Sequence, residues 1–133
     1  KNSILLYRKA LAHYNLKENK EAFLPLMKSI YLEHPDTDRQ YYLLGIIYKE
    51  KGESKMAIEN FKKSFRNNSK NYKSLFEWAL LSDSFYKDKK IAFGLYDEYL
   101  MKFERSDADM TLIASTRLKD IKEALFKEGL VVD

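Results

Sequence analysis

The stretch from Asp38 to Asn71 reads DRQYYLLGIIYKEKGESKMAIENFKKSFRNNSKN, and the spacing of its apolar residues decides the fold. Tyr41, Leu44, Gly45, Ile47 and Tyr48 recur at three and four positions, the period of one helix face rather than the two-residue period of a strand. Ala57, Ile58, Phe61 and Phe65 repeat that pattern in a second helix. Gly52 falls between them, where a left-handed residue closes the first helix, and Ser54 is placed to cap the second. Upstream, Thr37-Asp38-Arg39-Gln40 has the spacing of a capping box, with Thr37 as N-cap and Gln40 reaching back. Asn67-Asn68-Ser69 ends the pair.

The same pattern echoes on both sides at an interval of 34 residues. Tyr7, Tyr41 and Leu75 form one series; Ala10, Leu44 and Trp78 a second; Leu11, Gly45 and Ala79 a third; Tyr14, Tyr48 and Ser82 a fourth. One helix pair cannot bury its own apolar face, so a fixed period of this size predicts stacked pairs. The first helix is expected from Ser3 to Leu16. The second is expected from about Asn19, as its cap, to Glu33, burying Phe23, Met27, Ile30 and Tyr31. Pro25 falls inside it and predicts a kink near Glu21 to Phe23, and His34-Pro35 should end it. A fifth helix from near Asn71 carries Leu75, Trp78, Ala79, Leu81 and Phe85. A turn around Tyr86-Lys87-Asp88, one residue longer than the turn before, leads to a sixth that buries Ala92, Leu95, Tyr96, Tyr99 and Leu100. A seventh is capped within Ser106-Asp107-Ala108-Asp109 and has the stripe Met110, Ile113, Ala114, Leu118, Ile121, Ala124 and Leu125. It runs to Gly129, with Leu130-Val131-Val132 beyond it either frayed or packed on a segment outside this chain.

Composition agrees. The chain has 133 residues, 45% of them hydrophobic, but only 4 Gly and 2 Pro, so there is little to break a helix or turn a hairpin. Basic and acidic side chains number 24 and 20, a net charge of +4, which reads as a mixed solvated surface. The absence of Cys excludes disulfides and thiolate chemistry and suits any compartment. No apolar run is long enough for membrane insertion, and no signal-peptide pattern is present. The start at Lys1, without Met, is expected of a fragment. Richness in Lys, Asn, Tyr, Phe and Ile suggests an AT-rich, bacterial-type genome.

These residues resemble the tetratricopeptide repeat (TPR) family. The middle unit places Tyr41, Leu44-Gly45 and Tyr48 in the family's first-helix slots, and Ala57, Phe61 and Ser64 in those of the second helix. Ser69 stands where the family has its terminal proline. The first unit keeps Tyr7, Ala10, Tyr14 and Pro35. Its second helix puts Phe23 in a small slot, or Ala22 if it slips by one residue. The third keeps Leu75, Trp78-Ala79, Ala92 and Tyr96. The resemblance implies an all-α, right-handed α-solenoid of three TPR-like helix-turn-helix repeats, at about residues 4–37, 38–71 and 72–106, plus a C-terminal capping helix at about 107–128.

The resemblance also implies a scaffold that holds a peptide or partner helix on the concave face of its first helices. Carried over by position, that face comprises Leu5, Arg8, Ala12 and Asn15; then Arg39, Tyr42, Ile46 and Lys49; then Lys73, Phe76, Leu80 and Asp83. Tyr42, Ile46, Phe76 and Leu80 would be exposed anchors, and the cations would suit a partner segment of some acidic character. One family subtype clamps the acidic carboxyl terminus of chaperones with Lys/Arg and Asn. The corresponding slots here hold Arg8 with Ala12, Leu43, and Lys73 with Glu77, so that likeness stops short.

Catalysis is not expected. His13 and His34 are the only histidines; His13 has no carboxylate at helical spacing, and Glu77 and Asp83 are not on one narrow stripe. No metal-ligand set or phosphate loop is present, and no cofactor is expected. Two other readings are a nucleic-acid module and a purely structural assembly subunit. The first would use Lys62, Lys63, Arg66, Lys70 and Lys73 along one connection, and Lys87, Lys89 and Lys90 along the next.

Overall fold

The structure, a computed structural model, describes residues 2–32 and 37–129. Among the described residues there are helices and no strands: α1 (Asn2–Asn15), α2 (Asn19–Leu32), α3 (Asp38–Glu50), α4 (Ser54–Asn67), α5 (Tyr72–Phe85), α6 (Lys89–Phe103) and α7 (Ala108–Lys127). The helices group into two compact units, Lys1–Asn71 and Tyr72–Asp133. The expectations for His34-Pro35 and for Leu130-Val131-Val132 lie outside the described residues.

In the first unit α1 packs on α2, α3 on α4, and α3 also on α1 and α2. Ala10, Ala22, Leu26, Leu43, Leu44 and Ile47 form the core between the pairs. Ala57, Ile58 and Phe61 are buried along α4. Gly45 is required by its neighbour: a Cβ there would lie 2.7 Å from a Phe61 ring carbon.

The two pairs of this unit repeat at 35 residues, not 34, as four local structures show. The Ser29 hydroxyl donates to the Ser3 carbonyl at 2.8 Å, and the Ser64 hydroxyl to the Asp38 carbonyl at 2.7 Å. Glu18 N–H donates to the His13 carbonyl and Lys17 N–H to that of Tyr14; Glu53 N–H and Gly52 N–H do the same to Tyr48 and Lys49. This double bond is a Schellman closure, which needs a left-handed residue. Gly52 supplies it at φ 79° and Lys17 at φ 66°. Ala22 and Ala57 are both fully buried, as are Leu26 and Phe61. The tyrosine echo is therefore offset by one residue from the structural one.

That offset changes what α2 buries. Ala22, Pro25, Leu26 and Ser29 face inward, whereas Met27 and Tyr31, expected in the core, are exposed. The helix continues through Pro25. The capping box does not form, because its polar groups serve other contacts. Thr37 Oγ1 accepts from Asn67 Nδ2 at 2.6 Å, and Gln40 Nε2 lies 3.4 Å from Ser29 Oγ. Ser54 is the first residue of α4 and Glu53 holds the cap position, without a side-chain bond.

In the second unit α5 packs on α6 and α6 on α7. Ala92, Leu95, Tyr96, Tyr99, Ala114, Ile121 and Leu125 are buried. Residues 86–88 separate α5 from α6 just as 51–53 separate α3 from α4, so the turn is not longer. The additional residue sits in α5, with 14 residues against 13 in α3. Phe85, expected in the stripe, is 46% exposed and meets Tyr86 edge-on. Ile113 and Ala124 of α7 are exposed as well. Asp88 caps α6 by accepting from Lys90 N–H, and Asp107 caps α7 through Met110 N–H.

Candidate functional site

In the first unit the 35-residue register pairs Tyr42 with Tyr7, Ile46 with Leu11 and Lys49 with Tyr14. All six are half-buried. The Arg39 guanidinium lies 5.5 Å above the Tyr7 ring. At the other end Tyr14 donates its hydroxyl to Glu50 at 2.7 Å, and Asn19 reaches the same carboxylate at 3.4 Å. The Tyr42 ring lies 5.6 Å from that of Phe61, so it is propped from below by the core. Burial, opposed by the Arg39 charge, raises the Tyr7 pKa above the ordinary phenol value, so the hydroxyl is neutral at any ordinary pH. The face that results is a band of rings and aliphatic groups with cations beside it.

Arg8, Ala12 and Asn15 are exposed on α1 but occupy a different place. In register they answer Leu43, Ile47 and Glu50, of which Leu43 and Ile47 are buried against the preceding pair. The transfer by 34 residues thus took a neighbouring flank of α1, and missed Tyr7, Leu11 and Tyr14. Ala22, the small residue one position from Phe23, carried the signal that could have found them. Leu5 is exposed with Arg8 on that flank.

In the second unit Lys73 is exposed and Leu80 is half-buried. Phe76, expected as an exposed anchor, is only 4% exposed, and its ring packs 5.7 Å from Tyr99. Asp83, expected on the same face, is also buried. Its carboxylate accepts from Arg117 Nε at 2.7 Å, Arg117 Nη2 at 3.0 Å, the Tyr96 hydroxyl at 3.0 Å and Lys89 Nζ at 3.2 Å. Lys89 also donates to the Asp83 backbone carbonyl. Burial alone would raise the Asp83 pKa, but the bonds from Arg117, Tyr96 and Lys89 hold it below the ordinary aspartate value. Burial and the Asp83 charge drive the Tyr96 pKa well above its usual range. This cluster fastens α7 to α5 and α6, and no sequence motif announced it.

His13 does have a carboxylate partner: Nδ1 lies 2.6 Å from Glu18 Oε1. The two are five residues apart and meet because Lys17 turns the chain back beyond the helix end. Among the described residues no three His, Cys, Asp or Glu side chains are placed to hold a metal. Of the cations that could meet phosphates, Lys89 is engaged with Asp83 and Lys63 lies 5.7 Å above the Tyr41 ring.

No protein-family model matches the chain, and neither does any curated protein. Among solved structures it is similar to the N-terminal domain of stress-induced protein-1 (STI-1) from C. elegans. The TM-score is 0.74 at 15% identity, over 90% of this chain and 94% of that one. At this identity the likeness shows the fold, an all-α helical repeat of the TPR-like kind.

Proposed function

We propose that the chain is a protein-interaction scaffold whose α1–α3 face takes a peptide or a partner's helix. What carries this reading is the half-buried band of Tyr7, Leu11, Tyr42 and Ile46 beside Arg39 and Lys49. Rings that the core props up, but does not cover, offer rigid contact area at little entropic cost. The cations favour a segment that carries acidic residues next to its apolar anchors. In the second unit Lys73 and Leu80 of α5 offer contacts of the same kind. Phe76 and Asp83 are instead buried against α6 and α7. The TPR-like fold is of a kind that works by binding proteins.

The test is an array of extended peptides that varies the number of apolar and acidic positions. Peptides combining both should be retained. Arg39→Glu and Ile46→Ser should each weaken retention about tenfold or more, while the helical melting transition stays in place. If no peptide is retained, or if both variants retain peptides as the parent does, the scaffold reading of this face is wrong.

A further inference from the structure

The outward row of α2 differs in kind from the same row of α4. Leu24, Met27, Tyr31 and Leu32 are exposed, Tyr31 by 82% and Leu24 by 59%. At the 35-residue register their counterparts are Glu59, Lys62, Arg66 and Asn67, an ordinary polar surface. Four large apolar side chains at helical spacing on a surface row are costly in water, and they are not part of the packing stripe, which is Ala22, Leu26 and Ser29. Lys20 and Lys28 flank them, with Glu21 as the acid of that row. The α4 row adds Lys55 and Arg66 to Lys62, against Glu59, while Lys63 lies over the Tyr41 ring. The outer rows of the first unit's second helices are thus an apolar strip on α2 and a cationic one on α4.

We propose that these two rows of the first unit dock on an anionic lipid surface. Leu24, Met27, Tyr31 and Leu32 would enter the headgroup boundary while the lysines and Arg66 meet lipid phosphates and carboxylates. Charge complementarity selects this occupant: cations outnumber acids in both rows, and each cation near an anionic bilayer adds to attraction. The apolar strip supplies the second of the two contributions that stable peripheral binding needs. No helix of the described residues is long and apolar enough to cross a membrane, so the contact is peripheral.

The experiment is co-sedimentation of the full chain with vesicles of phosphatidylcholine, with and without phosphatidylserine. Binding is expected with the anionic vesicles and is weakened by salt. The double variant Leu24→Ser/Tyr31→Ser, at exposed sites, should lower it about tenfold or more, and Lys28→Glu/Arg66→Glu should do so as well. Circular dichroism of each variant confirms that the helices remain. Failure to sediment with anionic vesicles overturns the proposal. Binding that Leu24→Ser/Tyr31→Ser leaves unchanged also overturns it, since the strip then serves nothing there. Concentration-dependent dimers lost in that variant, without vesicle binding, would assign the strip to a second copy instead.

Discussion

Two backbone positions show how local chemistry sets stability. Lys17 holds a left-handed conformation that Gly52 holds at the same point of the next pair. A β-carbon makes that conformation costly, so Lys17→Gly should raise stability by about 0.5–1 kcal/mol in urea unfolding. A loss would mean that the lysine side chain makes a compensating contact. Gly45 is the opposite case, since a β-carbon would press into the Phe61 ring at 2.7 Å. Gly45→Ala should cost about 1–3 kcal/mol, whereas Gly94→Ala, with open space around it, should be neutral or mildly stabilising. Equal melting temperatures for both variants would show that Phe61 moves aside freely. The tyrosines at 7, 41, 14 and 48 were legible as a repeat but set the wrong interval. Tyrosine fits several slots of a helix face, whereas the small residues Ala22 and Ala57 fit only one.

At the scale of elements, pairing was legible in the sequence and the means of fastening were not. Apolar spacing and the turn at Gly52 located the helices to within a few residues. The Thr37–Gln40 box misled because both side chains find partners on α4 and α2, contacts that local spacing cannot encode. The joint between α5, α6 and α7 depends on Asp83 in the same way, with Arg117 34 residues distant. The folded pKa of Asp83 is lowered, so its contribution is complete above the unfolded value near pH 4 and fades as pH falls through the folded value. Asp83→Asn should therefore cost about 1–3 kcal/mol at neutral pH, a figure reduced for the partial exposure of Arg117. Urea titrations should find that cost smaller at about pH 2–3. A cost that does not change with pH would assign the effect to packing rather than charge.

For the molecule as a whole, the helix contacts within each unit are mostly between neighbours in the chain, with α1 on α3 one step further apart. Such topologies fold fast, so stopped-flow or temperature-jump refolding should be complete in microseconds to milliseconds. A dominant phase of seconds would contradict that expectation. Fold class was readable from composition and period alone; the candidate face was half readable. Tyr42 and Ile46 of the middle unit are half-buried, whereas Phe76 and Asp83 are buried rather than exposed, because their burial depends on α6 and α7 rather than on α5 itself.

The corner where α4 ends has a bearing on how long a purified sample keeps. Asn68 Nδ2 reaches Asp38 Oδ2 at 3.3 Å, and Asn71 Nδ2 reaches the same oxygen at 3.0 Å. Asn68 is exposed and precedes Ser69, a sequence in which the side-chain amide hydrolyses readily in warm alkaline buffer, releasing ammonia. The new carboxylate would face Asp38, replacing a donor by a like charge. Aged preparations should thus show an acidic isoform in mass spectrometry that melts earlier than fresh protein, and Asn68→Gln should delay both changes.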